Sequence, residues 1–395
     1  MKIKHLFWIL FGLNLLNYLD RQVLFSVFPL LQQDLHLTDF QLGTLASAFM
    51  VVYMCYAPVM GYLADRFSRP RLIALSALLW SGATLACGLA KNYASLLIPR
   101  GLIGVGEGGF TTLAQPFLAE NYPKEKHAPL LAAFGLALPV GSALGYVLGG
   151  LVGAHWGWRI AFMVAGIPGV LLAILALTLL KDNMRETQTV RPALRDYLPL
   201  LQNKPFLRVC FAQAMMTFVM GGLAAWMPTY LHRYVGVNVA QAGTYFGILI
   251  IIGGAIGTYL GGQLAAALLK RTQNAYYKLI SGSFLAALPC CWLALYSTHT
   301  AAVLGWMGLA LTLLFMPTGA IAAALVATTN AHIRAMAFAL NILMIHLLGD
   351  ALSPTLIGWA SDAWNLKLAV FLCTLVLLPG AYVADVCLHR VKTGL

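Results

Sequence analysis

Charge is what this chain has least of. Asp, Glu, Lys and Arg make up 10% of its 395 residues, against 60% hydrophobic residues. A soluble globular domain carries roughly 25% charged residues, so a soluble fold is excluded. Alternating ten-residue strands are missing as well, which excludes a transmembrane β-barrel. There is no nucleotide-binding loop, no metal-ligand cluster and no nucleophile–base pair. ATP-driven transport and membrane-enzyme chemistry are therefore not indicated, and no cofactor is expected. The seven cysteines, Cys55, Cys87, Cys210, Cys290, Cys291, Cys373 and Cys387, all fall in apolar stretches. Their spacing suits neither a disulfide framework nor a metal, and they read as small hydrophobes.

What is present is a succession of long apolar runs. Twelve segments, near 6–31, 41–64, 72–91, 96–121, 128–153, 159–180, 206–231, 240–269, 276–297, 301–326, 334–360 and 366–388, are each long enough to cross ~30 Å of hydrocarbon as a helix. The expected class is an all-α polytopic membrane protein with lipid as its surroundings. The first run resembles a signal peptide, with Lys2 and Lys4 ahead of it. It continues through Asp20 to Leu31 without a small-residue cleavage site, and so reads as the first spanning helix.

The net charge of +12 could suggest a nucleic-acid partner, but its placement argues against one. With the N-terminus in the cytoplasm, all Lys and Arg lie in cytoplasmic loops or tails except six. Lys91, Arg159, Arg233 and Lys367 fall outside, and Arg21 and Arg100 lie within helices. This bias predicts both termini in the cytoplasm. The sequence contains no N-x-S/T sequon and no large domain between its spans, which fits a bacterial inner membrane.

The longest polar stretch, residues 181–205, separates two six-segment halves, 1–180 and 206–395. Arg191 to Leu201 within it has the pattern of a short amphipathic surface helix.

Charge inside the spans is sparse and therefore informative, because it costs ~2.5–3.5 kcal/mol per residue on insertion scales. The first span carries NLLNYLDR, residues 14–21. Asn14, Asn17 and Arg21 recur at helical spacing with Tyr18 beside them, predicting a polar stripe that faces a water-filled cavity. Asp20 points about 100° away from Arg21, so that one of the two faces the cavity while the other meets a neighbouring helix. The fourth span carries RGLIGVGEGG, residues 100–109. Arg100 and Glu107 are two turns apart on one face, and the glycines allow close helix contact. Their bland reading is an internal ion pair of structural purpose. The fifth span has Pro139, Gly141, Gly145 and Gly149, read as a close-packing face. In the eleventh, His346 and Asp350 are one turn apart and are followed by Ser353 and Pro354, which places a bend there. His titrates near neutral pH and suits a proton relay; helix–helix hydrogen bonding is the alternative.

Several motifs together carry a resemblance. The loop GYLADRFSRPR (61–71) resembles the major facilitator loop signature, with Ser68 in place of the usual Gly and Pro70 inside the basic pair. The C-terminal copy, GQLAAALLKR (262–271), has Ala266 where the acid would stand. NYLDR (17–21), GEGGFTTLAQPFLAENYP (106–123) and HLLGDALSPTLIGWASD (346–362), with GWRIAF and GIPG, resemble the spinster family of that superfamily across the whole chain. The resemblance implies the major facilitator fold, with two six-helix halves related by a pseudo-two-fold axis and working as a monomer. It implies a conformational latch of Gly61, Asp65, Arg66, Arg69 and Glu120, in which Gly61 permits close packing. Asp65 would address the start of the eleventh helix near Arg334, and Arg66 or Arg69 would pair with Glu120. It also implies a lysophospholipid or sphingosine-1-phosphate type of substrate.

Residues and resemblance combine into one expectation. Asp20, Arg21, Arg100 and Glu107 form a network. Arg21 and Arg100 are the candidate anion binders, because Arg engages phosphate or carboxylate with paired hydrogen bonds. A buried carboxylate is readily neutralised by a proton when its partner leaves. This makes Asp20, then Glu107, the candidate proton carriers, with Asp350 and His346 a second titrating pair. Phe218, Trp226 and Tyr230 are expected to give the C-terminal half an apolar lining for an amphiphile's chain, and Ser353 to contact substrate. The expected function is proton-gradient-driven movement of an anionic amphiphile by alternating access. A small organic anion or drug as substrate, or uncoupled facilitation, are the alternatives.

Overall fold

A computed structural model describes residues 3–64, 66–180, 198–330 and 333–393, and the side chains of most of these. Asp65 and residues 181–197 lie outside the described residues, as does most of the Arg191–Leu201 segment. The described chain is built from twelve long helices. They are α1 (Ile3–Ser26, extended by Phe28–Leu35), α2 (Asp39–Ala64), α3 (Arg69–Gly88), α4 (Tyr93–Glu120), α5 (His127–Gly135 and Ala137–Trp156) and α6 (Trp158–Leu179). There follow α7 (Lys204–Tyr230, continued by Leu231–Val235), α8 (Val239–Leu269), α9 (Ala275–Tyr296), α10 (Thr300–Phe315 and Thr318–Ala327), α11 (Arg334–Ile345, His346–Asp350 and Ser353–Ala363) and α12 (Leu366–Thr374 and Leu377–Thr393). Ten are long and apolar enough to cross a membrane on length and composition alone. The remaining two, α1 and α4, carry Asp20, Arg100 and Glu107, three of the four buried charged side chains among the described residues. All backbone groups bonded within a helix is the condition for crossing lipid, and the chain meets it with helices alone.

The chain packs into two compact units. One comprises Met1–Glu186 with Ala224–Ile248, the other Thr187–Leu223 with Leu249–Leu395. The later part of α7 and the first part of α8 thus belong to the first unit. Within that unit Tyr146 of α5 donates its hydroxyl to the carbonyl of Ala224, 2.7 Å away. Trp226 lies against Phe28, ring centroids 5.4 Å apart.

α4 sits between α2 and α3, and its glycines explain how closely. A Cβ at Gly104 would lie 2.5 Å from the carbonyl oxygen of Phe49 on α2. One at Gly106 would lie 2.7 Å from the backbone of Ser76 and Trp80 on α3. Successive glycines therefore face two neighbours, and Glu107 is held between them. The α5 glycines 141, 145 and 149 likewise meet α1 backbone or side chains, as a close-packing face should.

Gly61 needs correction. It was expected to allow close packing, yet a Cβ there would have nothing within 4 Å, because this part of α2 faces open space.

α11 is interrupted where the sequence places a bend. Its discontinuity lies at Gly349, whose ψ of −109 is not helical. Ser353 and Pro354 then begin the next segment, so the proline occupies a first turn, where its missing N–H costs nothing.

Candidate functional site

The buried charges converge inside the first unit. Arg21 of α1 donates from Nε to Glu107 Oε2 of α4 at 2.6 Å and from Nη2 to Asn17 Oδ1 at 3.3 Å. Three rings surround its guanidinium: Tyr18, Phe49 and Tyr53, with centroids 5.2, 5.0 and 4.8 Å away. Aromatic faces attract a cation, and more so away from water. Tyr53 reaches Thr111 of α4 through a 2.8 Å hydroxyl contact, so the cage is tied to the helix that bears Glu107.

Arg100 is fully buried and takes a different position. Its guanidinium also lies 5.0 Å from the Phe49 ring, which thus contacts both arginines. Nε makes a 3.5 Å contact to the carbonyl of Leu45, while Nη1 and Nη2 have no hydrogen-bond partner among the described residues. Asp20, also buried, accepts from the Thr84 hydroxyl of α3 at 3.0 Å through Oδ2, and its Oδ1 has no such partner.

Three expectations are corrected by this arrangement. Glu107 pairs with Arg21 and not with Arg100; two turns along one helix separate side chains too far, while α1 comes close across the interface. Asp20 is not ion-paired into the network but hydrogen-bonded to Thr84, because its ~100° offset turns it toward α3. The Asn14 and Asn17 stripe is not on an open surface. Both are buried, and Asn14 donates to the carbonyl of Phe134, 3.2 Å away at the interruption of α5.

At the end of the unit nearer the N-terminus, Arg69 is hydrogen-bonded to Glu120, linking the start of α3 to the end of α4. Arg66 instead lies over Tyr62, 4.1 Å from the ring. At the far end, two ion pairs that the sequence did not reveal close the unit. Arg233, in the continuation of α7, donates from Nη1 and Nη2 to both carboxylate oxygens of Asp39, at 2.7 and 2.6 Å. It also donates to Gln32 Oε1 at 2.6 Å, and Gln32 donates to Asp39 at 3.0 Å. Arg159 of α6 bonds Asp34 at 2.6 Å and the carbonyl of Ala90 at 3.2 Å. With Trp158 donating to it as well, the Asp34 carboxyl is held below the usual carboxylate range, the Arg159 hydrogen bond being the main cause.

Trp226 and Tyr230 are also corrected. Both are buried in the first unit, Trp226 against Phe28 and Tyr230 stacked on Tyr234, because the far part of α7 packs there. Phe218 stays in the second unit, partly exposed. There His346 Nδ1 and Asp350 Oδ1 are 2.9 Å apart at the α11 interruption, both partly exposed. Ser353 is fully buried, its Oγ without a hydrogen-bond partner among the described residues. The six described cysteines are free thiols, and no group of His, Cys, Asp or Glu among the described residues could hold a metal.

Thr84, Phe49, Tyr53, Gln32 and Asp39 are the contributors that the sequence reading missed. Phe49 and Tyr53 are four apart on α2, one visible signal of a shared face; the others had none.

Residues 10–354 match the family model of the Major Facilitator Superfamily. The zebrafish (Danio rerio) protein spinster homolog 3 is 31% identical over 89% of this chain and 75% of its own length. The sphingosine-1-phosphate transporter SPNS2 of Mus musculus is 30% identical over 93% of this chain and 74% of its own. Among solved structures, a bacterial homologue of the human lysosomal transporter spinster, inward-facing and occupied, superposes with a TM-score of 0.86 at 22% identity. That match covers 97% of this chain and 96% of the other. At that identity it bears on the fold alone.

Proposed function

Because this chain belongs to the spinster family of the Major Facilitator Superfamily, we propose that it is a proton-coupled transporter of an anionic amphiphile of the lysophospholipid or sphingosine-1-phosphate class. It would sit in an inner membrane with both termini in the cytoplasm and work by alternating access as a monomer. One observation carries the reading. The first unit holds an ion pair, Arg21–Glu107, whose Glu107 Oε1 has no hydrogen-bond partner among the described residues, beside a buried cation and a buried acid that also keep unpartnered atoms, Arg100 and Asp20. Such a set is poised for partner exchange, since an unpaired buried charge is costly.

An anionic head takes the guanidinium of Arg21 or Arg100, which favours paired hydrogen bonds to phosphate. Glu107, released from Arg21, or Asp20, whose Oδ1 is available, takes a proton in place of a cation. Loss of that proton returns Arg21 to Glu107 and expels the head. Asp20 is the primary carrier, because protonating it breaks no ion pair. The far-end clasp of Arg233, Asp39 and Gln32 and the near-end Arg69–Glu120 pair support two alternately opened ends. His346 and Asp350, 2.9 Å apart in the other unit, are a second proton-coupling pair in this proposal.

The test is flux into proteoliposomes of labelled lysophospholipid and labelled sphingosine-1-phosphate, with and without an imposed pH gradient, for the wild type and Asp20→Asn. Gradient-driven flux lost in the variant is expected. Flux indifferent to the gradient in both proteins would make the protein a facilitator. Flux of a small organic anion with none of either lipid would replace the amphiphile.

A further inference from the structure

Thr84 belongs to no part of the mechanism above, yet it is the side chain that hydrogen-bonds Asp20. Its side chain is buried, and its hydroxyl lies 3.0 Å from Asp20 Oδ2 and 3.0 Å from the carbonyl oxygen of Trp80, one turn back on α3. A hydroxyl carries one proton, so it serves one acceptor at a time. Bonding to the carbonyl four residues back is the standing alternative for any helical Thr. The charged and titratable groups around Asp20 are Glu107 and Arg100 from α4, Cys87 from α3 and Arg21 next to it on α1. None of them hydrogen-bonds or ion-pairs with it among the described residues, and the Thr84 hydroxyl is the side-chain hydrogen bond that favours its charged form.

We infer that Thr84 is a positioning residue that sets the proton affinity of Asp20 by switching its single hydroxyl proton between the Asp20 carboxylate and the Trp80 carbonyl. This rests on the reading of Asp20 as the proton carrier. With Asp20 charged, the hydroxyl donates to Oδ2 and ties α1 to α3. A proton arriving on Oδ1 makes the carboxyl a weaker acceptor, the hydroxyl turns to Trp80, and the tie between the helices is released. Proton binding is thereby converted into a change at a helix–helix contact, through one side-chain rotation.

The experiment is an infrared pH titration of the purified protein in lipid nanodiscs, following the carbonyl band of protonated carboxyl groups. It compares wild type, Asp20→Asn, Thr84→Val and Thr84→Ser, with Thr84→Ala in reserve should the valine variant not fold. Asp20→Asn is expected to remove one titrating band. Thr84→Val removes the donor that favours the charged form, so that band's midpoint moves to higher pH by about one unit, tenfold in proton affinity. Thr84→Ser, which keeps the hydroxyl, is expected to titrate like the wild type. An unmoved midpoint in Thr84→Val, with the Asp20 band present, overturns the role of Thr84 and leaves Asp20 as carrier. Absence of any band lost in Asp20→Asn instead removes the carrier reading, and the Thr84 inference with it.

Discussion

In the first unit every ionisable side chain at the site rises from an uninterrupted stretch of helix: Asp20 and Arg21 from α1, Arg100 and Glu107 from α4. In the second unit the His346–Asp350 pair stands on a helix that breaks at Gly349. Burial differs as well. Asp20, Asp39, Arg100 and Glu107, the buried charged side chains among the described residues, all belong to the first unit. Buried polar contacts in the second are neutral, such as Asn341 to Gln213 and Trp292 to Thr374, each at 3.0 Å. A buried charge needs a rigid frame that fixes its partner's distance, and α4, wedged by its glycines between two neighbours, provides one. A partly exposed pair is shielded by water and tolerates a flexible backbone.

The contrast is broken most directly by removing one partner on each side. Arg21→Met leaves Glu107 buried without a cation, and a loss of about 3–5 kcal/mol is expected. His346→Gln is expected to cost about 1 kcal/mol or less. Thermal unfolding of the detergent-solubilised variants checks both, and equal losses would end the distinction. Next in size is Arg233→Gln, which leaves the Asp39 carboxylate without its paired donors; hydrogen bonds to charged groups contribute about 1.5–3 kcal/mol. That loss should appear as faster maleimide labelling of a cysteine at Val239, buried at the same end, and a reciprocal exchange of Asp39 and Arg233 should restore protection.

The glycine frame gives a sharper, slightly smaller comparison. Gly104→Ala pushes a methyl onto the Phe49 carbonyl and should cost about 1–3 kcal/mol, as overpacking does. Gly262→Ala, on α8 with open space around it, should be neutral or stabilise by up to about 1 kcal/mol. The same unfolding assay distinguishes them. Smallest is a pH effect at Asp34. Its carboxyl is held below its usual range by Arg159 and Trp158, so its contribution is present above the unfolded value of about 3.9 and is lost as pH falls through the lower folded value. Trp158 fluorescence should report that release below about pH 4 and stay flat from there to neutrality.

Most of the fold was legible because lipid demands long apolar helices, and a run of twenty such residues is hard to mistake. The site was legible in part. The angular offset between Asp20 and Arg21 follows from helical geometry, but it left open which of them meets a neighbouring helix, and both do. Arg100 and Glu107 misled, since sharing a face is not the same as touching. Arg233 and Asp39 stand 194 residues apart and had no local signal at all. Thr84 was hidden for another reason: a lone Thr in an apolar helix looks the same whether it bonds its own backbone or a neighbour's carboxylate.

The membership of Ala224–Ile248 in the first unit has a consequence for how the chain is made. The first six helices leave the ribosome and enter the bilayer before α7 and α8 exist. During that interval Asp39 has no Arg233, and the faces of Phe28 and Tyr146 lack their cover. At roughly 5–20 residues per second the wait lasts several seconds. An early intermediate of biogenesis therefore exposes a charged, partly uncovered flank, and a truncation after α6 should be retained by membrane chaperones or degraded, while one after α8 should escape them.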